Sequence, residues 1–214
     1  MKNIFNLDSP LMQMLTRLGE MIIINFLCLV CCLPVITTGA ALSATHRIMQ
    51  DYVTDNEGSL IKTFFRAFKE NFKQATITWL VLLVLAVAMV LNFIFVGVFL
   101  GDVMNGIPAL ALYAMLGVMS ILAVGIAVFL FPLLTRYKNT LRQHVINSLI
   151  LTITKPHLAL AMVLLHAFPL LLLYFFPSVF LQTLIFWLLV GVAFLIYVDN
   201  AILRKVYVTL ENQQ

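Results

Sequence analysis

Charge is what this sequence has least of. Only 10% of its 214 residues are Asp, Glu, Lys or Arg, against about a quarter in an ordinary soluble domain. With 63% of the chain hydrophobic, the polar groups cannot cover a water-facing surface, which excludes a soluble globular fold. Cysteine is nearly as scarce. Cys28, Cys31 and Cys32 form a C-x-x-C-C run inside an apolar stretch. No histidine or charge lies beside them to hold a metal or a thiolate, so the run reads as helix packing, and no disulfide framework follows from it. Catalytic signatures are missing too: there is no H-E-x-x-H, no phosphate-binding P-loop, no G-x-S-x-G and no dinucleotide fingerprint. An enzyme is not expected, nor a metal or other cofactor, nor transport powered by this chain's own ATP hydrolysis. The net charge of +4 comes from Lys and Arg in the short segments between apolar runs. No aromatic-interleaved basic stripe remains for nucleic acid.

The apolar runs themselves set the expected architecture. Met21–Thr45, Gln74–Gly101 and Val103–Thr135 carry no charge, and Leu158–Val198 holds only His166 and two tyrosines as titratable groups. A crossing of about 30 Å of hydrocarbon takes roughly 20 helical residues. The second and third runs are therefore single spans. The last is long enough for two crossings, broken by Pro169 with Pro177. The first is either one span or a hairpin through Leu33-Pro34-Val35-Ile36-Thr37-Thr38-Gly39, where Pro34 stops a helix and Gly39 permits a reversal.

Basic residues choose between these. Arg47, Lys62, Arg66, Lys69 and Lys73 fall in 46–73, Arg136, Lys138, Arg142 and Lys155 in 135–157, and Arg204 and Lys205 in the tail, whereas 101–107 and 176–178 have none. The segments alternate inside and outside by the positive-inside rule, and Lys2 with Arg17 puts the N-terminus inside. The expected fold is all-α: a polytopic transmembrane bundle in one domain with about six crossings, near 16–33, 38–52, 75–100, 107–134, 158–176 and 178–198, five if the hairpin is one span. Both ends are expected in the cytoplasm.

Ser9 is expected to cap a first helix opening at Pro10, with Leu11, Met14, Leu15 and Leu18 along an interfacial face. Ser59–Gln74, with Phe64, Phe65, Phe68 and Phe72 opposed by Lys62, Arg66, Lys69 and Lys73, reads as a short amphipathic cytoplasmic helix. Leu141–Ile153, with Leu141, Val145, Leu149 and Thr152 on one side, reads the same way. The alternative for both is the snorkelling end of a longer helix.

Candidate functional residues concentrate in the first helical pair. Arg17, Glu20, Asn25, Thr37, Thr38, Ser43, Thr45, His46, Arg47 and Asp51 place polar atoms where hydrocarbon demands partners, so this hairpin is expected to pack inside a bundle or on another protein. Phe64, Phe68, Lys69, Asn71 and Phe72 form a candidate docking surface. His166 stands mid-span, where burial requires a hydrogen-bond partner or a proton relay. Asp199 and Glu20 are expected near a cytoplasmic boundary, within reach of water.

The turn Leu33–Ala40, the stretch Phe64-Phe65-Arg66-Ala67-Phe68-Lys69-Glu70-Asn71-Phe72-Lys73-Gln74-Ala75, Asn25-Phe26-Leu27 before them and Asp55-Asn56-Glu57-Gly58 between them resemble the YesL family of bacterial membrane proteins. The likeness covers roughly residues 1–80 closely and the rest in hydropathy. Ser43, His46, Arg47 and Asp51 make the helix after Gly39 more polar than the family pattern. The resemblance implies a multi-pass protein of the bacterial plasma membrane, encoded beside genes for oligosaccharide import. Its implied role is an accessory in carbohydrate uptake, partnering the permease subunits of a sugar ABC importer. It supplies no catalytic or binding residues. A self-sufficient transporter or channel lined by Arg47, Asp51 and His166 is the alternative.

Overall fold

A computed structural model describes residues 10–54, 58–100 and 106–211. Among them there is no strand, and the fold is all-α. Helix α1 is Pro10–Cys32, and a single 3-10 turn at Val35–Thr37 leads to α2 at Thr38–Val53. Helix α3, Leu60–Phe95, runs into a π-helical turn at Val96–Leu100, and α4 spans Ile107–Arg136. Then come α5 (Leu141–Thr154), α6 (Pro156–Phe175), the short α7 (Pro177–Gln182) and α8 (Leu184–Phe186), a second π turn at Trp187–Gly191, and α9 (Val192–Glu211). Five stretches are long and apolar enough to cross a membrane: Leu11–Cys32, Leu60–Val98, Ile107–Arg136, Pro156–Phe175 and Leu184–Thr209. Isoleucines, leucines, valines and phenylalanines lie exposed along all of them. Only a lipid environment suits that surface, and the chain is a multi-pass membrane protein.

Local chemistry explains the breaks. Leu33 and Pro34 end α1, because proline's ring and missing N–H do not continue a helix. Thr37 closes the reversal by donating its hydroxyl to the Cys31 carbonyl (2.6 Å) and the Pro34 carbonyl (2.9 Å). Thr38 reaches back to the Cys32 carbonyl at 3.4 Å. Hydroxyls thus satisfy the orphan carbonyls of Cys31 and Cys32 at the end of α1. α1 is helical from the first described residue, Pro10; Ser9, Lys2 and Asp55–Glu57 lie outside the described residues. Pro169 lies inside α6, and the actual break comes at Phe176 before Pro177.

Two expectations about amphipathic segments change. Ser59–Gln74 is not a separate surface helix: it is the first part of α3, whose 36 residues extend about 54 Å at 1.5 Å per residue. No proline or glycine interrupts 60–95, so nothing stops the helix where its charge runs out. α5 is separate, opened by a reciprocal capping box between Thr140 and Gln143, but it faces the other way. His144, Ser148, Leu151 and Thr152 are buried, while Val145, Ile146, Leu149, Ile150 and Ile153 are exposed. The polar side turns to protein and the apolar side turns outward, as contact with lipid requires.

Helix α2 packs chiefly on α3, and glycine sets the distance. A Cβ on Gly39 would collide with the Ala75 carbonyl and lie 2.6 Å from the Trp79 Cβ. Trp79 then donates its indole N–H to the Val35 carbonyl at 2.8 Å, clamping the hairpin turn. Because Trp79 is mid-helix, α3 continues about 24 Å past the turn to Phe95. One core joins α1, α2, the start of α3 and α9 through Ile24, Ile48, Met49, Phe64 and Ile196. A second joins α4, α5, α6 and α9 through Phe129, Leu133, Leu151, Met162 and Leu203. α9 belongs to both.

Candidate functional site

The junction of the two cores holds the buried polar groups. Asn25, Ser43, Thr45, His46, Gln50, Asp199 and Asn200 are all at most 5% exposed. They come from α1, α2 and α9, with α4 and α6 closing the sides.

Asn25 solves a local problem on the facing chain. The π turn at Trp187–Gly191 opens the helix ladder between Leu188 and Ala193. The Asn25 amide bridges the opening, its Nδ2 donating to the Leu188 carbonyl (2.7 Å) and its Oδ1 accepting from the Ala193 N–H (3.0 Å). Gly191 makes room for the Trp187 ring, 2.5 Å from where a Cβ would stand. In hydrocarbon each of these backbone groups must find a partner.

Next along α2 and α9 runs a chain of directed bonds. Asn200 Nδ2 donates to the Ile196 carbonyl (2.8 Å), which fixes the orientation of its amide. The same nitrogen lies 3.1 Å from His46 Nδ1. An amide nitrogen only donates, so His46 Nδ1 is an acceptor and the ring is neutral with its proton on Nε2. Tyr207 donates to Asn200 Oδ1 at 3.2 Å. Gln50 Nε2 donates to the Pro132 carbonyl (2.8 Å) and Thr135 Oγ1 (3.0 Å), and lies 3.5 Å from the Tyr207 hydroxyl. The Arg136 guanidinium sits over the Tyr207 ring, 4.4 Å from its centroid. The network therefore ties α2, α4 and α9 together, and three of its members, Gln50, Tyr207 and Asn200, carried no signal in a linear reading of charge and periodicity.

His166 enters from α6. Its Nδ1 is 3.0 Å from the Met162 carbonyl and its Nε2 is 3.4 Å from Asp199 Oδ2. Asp199 is 1% exposed, which corrects the expectation that it reaches water at the cytoplasmic boundary. Neither carboxyl oxygen has a hydrogen bond among the described residues; the 3.4 Å approach is an ion-pair distance without hydrogen-bond alignment.

The other candidate residues lie apart from this junction. Glu20 accepts from the Tyr52 hydroxyl at 2.6 Å, joining α1 to the end of α2, and Arg17 is exposed one turn earlier. Arg47 and Asp51 pair at 3.5 Å along one face of α2. Thr37 and Thr38 serve the turn. Phe64 is fully buried and stacks on Phe68, centroids 6.3 Å apart, with Phe72 next in the row at 5.6 Å. The inner end of the phenylalanine face thus packs on the chain's own hairpin. Phe65 and Phe72 stay exposed, as do Lys62, Lys69 and Lys73, and Asn71 is half-buried. Cys28, Cys31 and Cys32 are free thiols, and among the described residues no cluster of metal-ligating side chains forms.

Residues 21–93 match the family described as "Protein of unknown function, DUF624". That stretch begins midway along α1, takes in the whole hairpin and ends in the last turn of α3. It contains Asn25, His46 and Gln50 but neither His166 nor Asp199. No curated protein matches the chain. No solved structure matches it either.

Proposed function

We propose that this chain is an accessory integral membrane protein of carbohydrate uptake, seated in the bacterial plasma membrane with both ends cytoplasmic and docked on the permease subunits of a sugar ABC importer. The match over 21–93 falls on the residues that carry the YesL resemblance, which supports reading the chain as YesL-like. The observation that carries the docking is the outer surface of α3. Its first part presents Lys62, Phe65, Lys69, Phe72 and Lys73, and its second part presents Val81, Val84, Val87, Leu91 and Ile94, all exposed. A basic, aromatic collar below an apolar rod suits the boundary and interior of a bilayer beside another membrane protein. The amides and imidazole of Asn25, His46, Gln50 and Asn200, by contrast, are committed to bonds within the bundle, which favours a partner over a conduit.

The test is purification of a tagged chain from native membranes in mild detergent. Permease subunits or their ATPase are expected to co-purify, and changing Lys62, Lys69 and Lys73 to Glu should reduce their recovery. Repeated isolation of the chain alone contradicts the proposal. The ion pairs Arg47–Asp51 and His166–Asp199 favour a second reading, a self-sufficient transporter. It requires solute flux in liposomes holding only this protein, abolished by Arg47→Ala; liposomes silent across sugars would end it.

A further inference from the structure

Among the described residues, a buried carboxyl group with no hydrogen-bond donor faces a histidine whose tautomer is dictated by its other bond. We propose that Asp199 and His166 form a proton-binding dyad within the bundle, holding one proton between them. The inference goes beyond the accessory reading and does not depend on it.

The argument is one of donors and acceptors. Met162 offers His166 a carbonyl, which can only accept, so Nδ1 carries a hydrogen. In the neutral ring Nε2 is then a lone pair, and it lies 3.4 Å from Asp199 Oδ2. Two bare acceptors at that distance repel. A buried carboxylate with no hydrogen bond costs several kcal/mol. One proton resolves both problems. It sits on Asp199 and is offered to Nε2, or it sits on Nε2 and makes an imidazolium facing a carboxylate. In the exchange the bond from the Asp199 oxygen to hydrogen breaks, a bond from that hydrogen to His166 Nε2 forms, and the carboxyl takes back the electron pair.

Among the described residues, the groups that face the pair from neighbouring helices are neutral or set back from it. From α2 comes His46, neutral because Asn200 donates to its Nδ1. From α9 itself come Asn200 and Tyr207, the latter committed to Asn200 Oδ1. The Arg136 guanidinium of α4 lies beyond the Tyr207 ring. α1 contributes Asn25, uncharged and bonded to Leu188 and Ala193. The Asp199 side chain is 1% exposed and that of His166 40%, so the carboxyl is the enclosed member of the pair and the imidazole the one at the bundle's outer face. Ionisable pairs placed this way inside membrane helices are the usual parts of proton relays.

The experiment is nitrogen NMR of the full chain, histidine-labelled with nitrogen-15, in nanodiscs near neutral pH, with the His166 signals identified by their loss in His166→Gln. In the wild type Nδ1 is expected to be protonated and Nε2 to show a proton bound or shared. In Asp199→Asn, Nε2 should become a bare lone pair while Nδ1 keeps its hydrogen. An Nε2 signal identical in the two proteins overturns the dyad, as does a bare Nδ1. Should Asp199→Asn fail to fold, infrared spectra of His166→Gln decide. Without the imidazole, Asp199 must keep the proton, so a carboxylic-acid carbonyl band that shifts on carbon-13 labelling of aspartate should be present. An ionised carboxylate in His166→Gln contradicts the proposal.

Discussion

Single side chains in this molecule are judged by whether a backbone or a buried neighbour depends on them. Asn25 is the sharpest case, because one amide serves a carbonyl and an N–H of the opened helix at Leu188 and Ala193. Replacing it by Ala leaves both bare, at about 1–3 kcal/mol for each, and should lower the thermal midpoint of the purified protein. An Asn25→Ala variant as stable as the wild type would contradict the bridging role. His144 on α5 is a different kind of dependence. Burial pushes its imidazole below the ordinary histidine range, opposed in part by the nearby Asn139 backbone, although among the described residues no hydrogen bond of good geometry reaches either ring nitrogen. The unfolded chain takes up a proton there before the folded one does, so the stabilising contribution is complete above the usual pKa of about 6.5 and is lost as pH falls below it. Thermal unfolding across this range should show a weaker acid sensitivity in His144→Phe than in the wild type. Residues of this type were only partly legible in the sequence. Asn25, His46 and His166 stood out because a polar group in an apolar run must have a partner, and they have one. Asp199 was misplaced because the charged residues after it suggested a water-facing helix end, whereas packing by α2 and α6 covers it.

At the level of elements, helix positions were legible wherever proline, glycine or a run of charge punctuated the chain. The hairpin reversal at Leu33–Gly39, the starts of α4 and α6 and the break at Pro177 all follow from such signals. The continuity of α3 was not, since a change from amphipathic to uniformly apolar character reads like a boundary although no residue there breaks a helix. Nor was the inward polar face of α5, because a helix between protein and lipid inverts the usual pattern. The depth of the hairpin is a matter of packing alone. Its turn is clamped to Trp79, mid-way along α3, and exposes Leu33, Val35 and Ile36. Apolar residues at that position suit hydrocarbon rather than water. A single cysteine placed at Val35, in a chain whose native cysteines are replaced by Ala, should resist membrane-impermeant thiol reagents from either side of the membrane and react after detergent is added. Ready labelling from one aqueous side would put the turn at the surface instead.

For the whole molecule, the governing fact is that the solvent is oil. It explains why polar side chains gather where α2, α6 and α9 meet, why threonine hydroxyls serve carbonyls at the end of α1, and why so many leucines and phenylalanines face outward. Composition alone made this legible. What composition could not convey is which helices meet, and hence that residues as distant in sequence as His46 and Asn200 share a bond. The most direct test of the account is the behaviour of the expressed chain in fractionated cells. It should stay with the membrane pellet through an alkaline carbonate wash and leave only with detergent. A folded monomer in the detergent-free supernatant after high-speed centrifugation would contradict the account at its root.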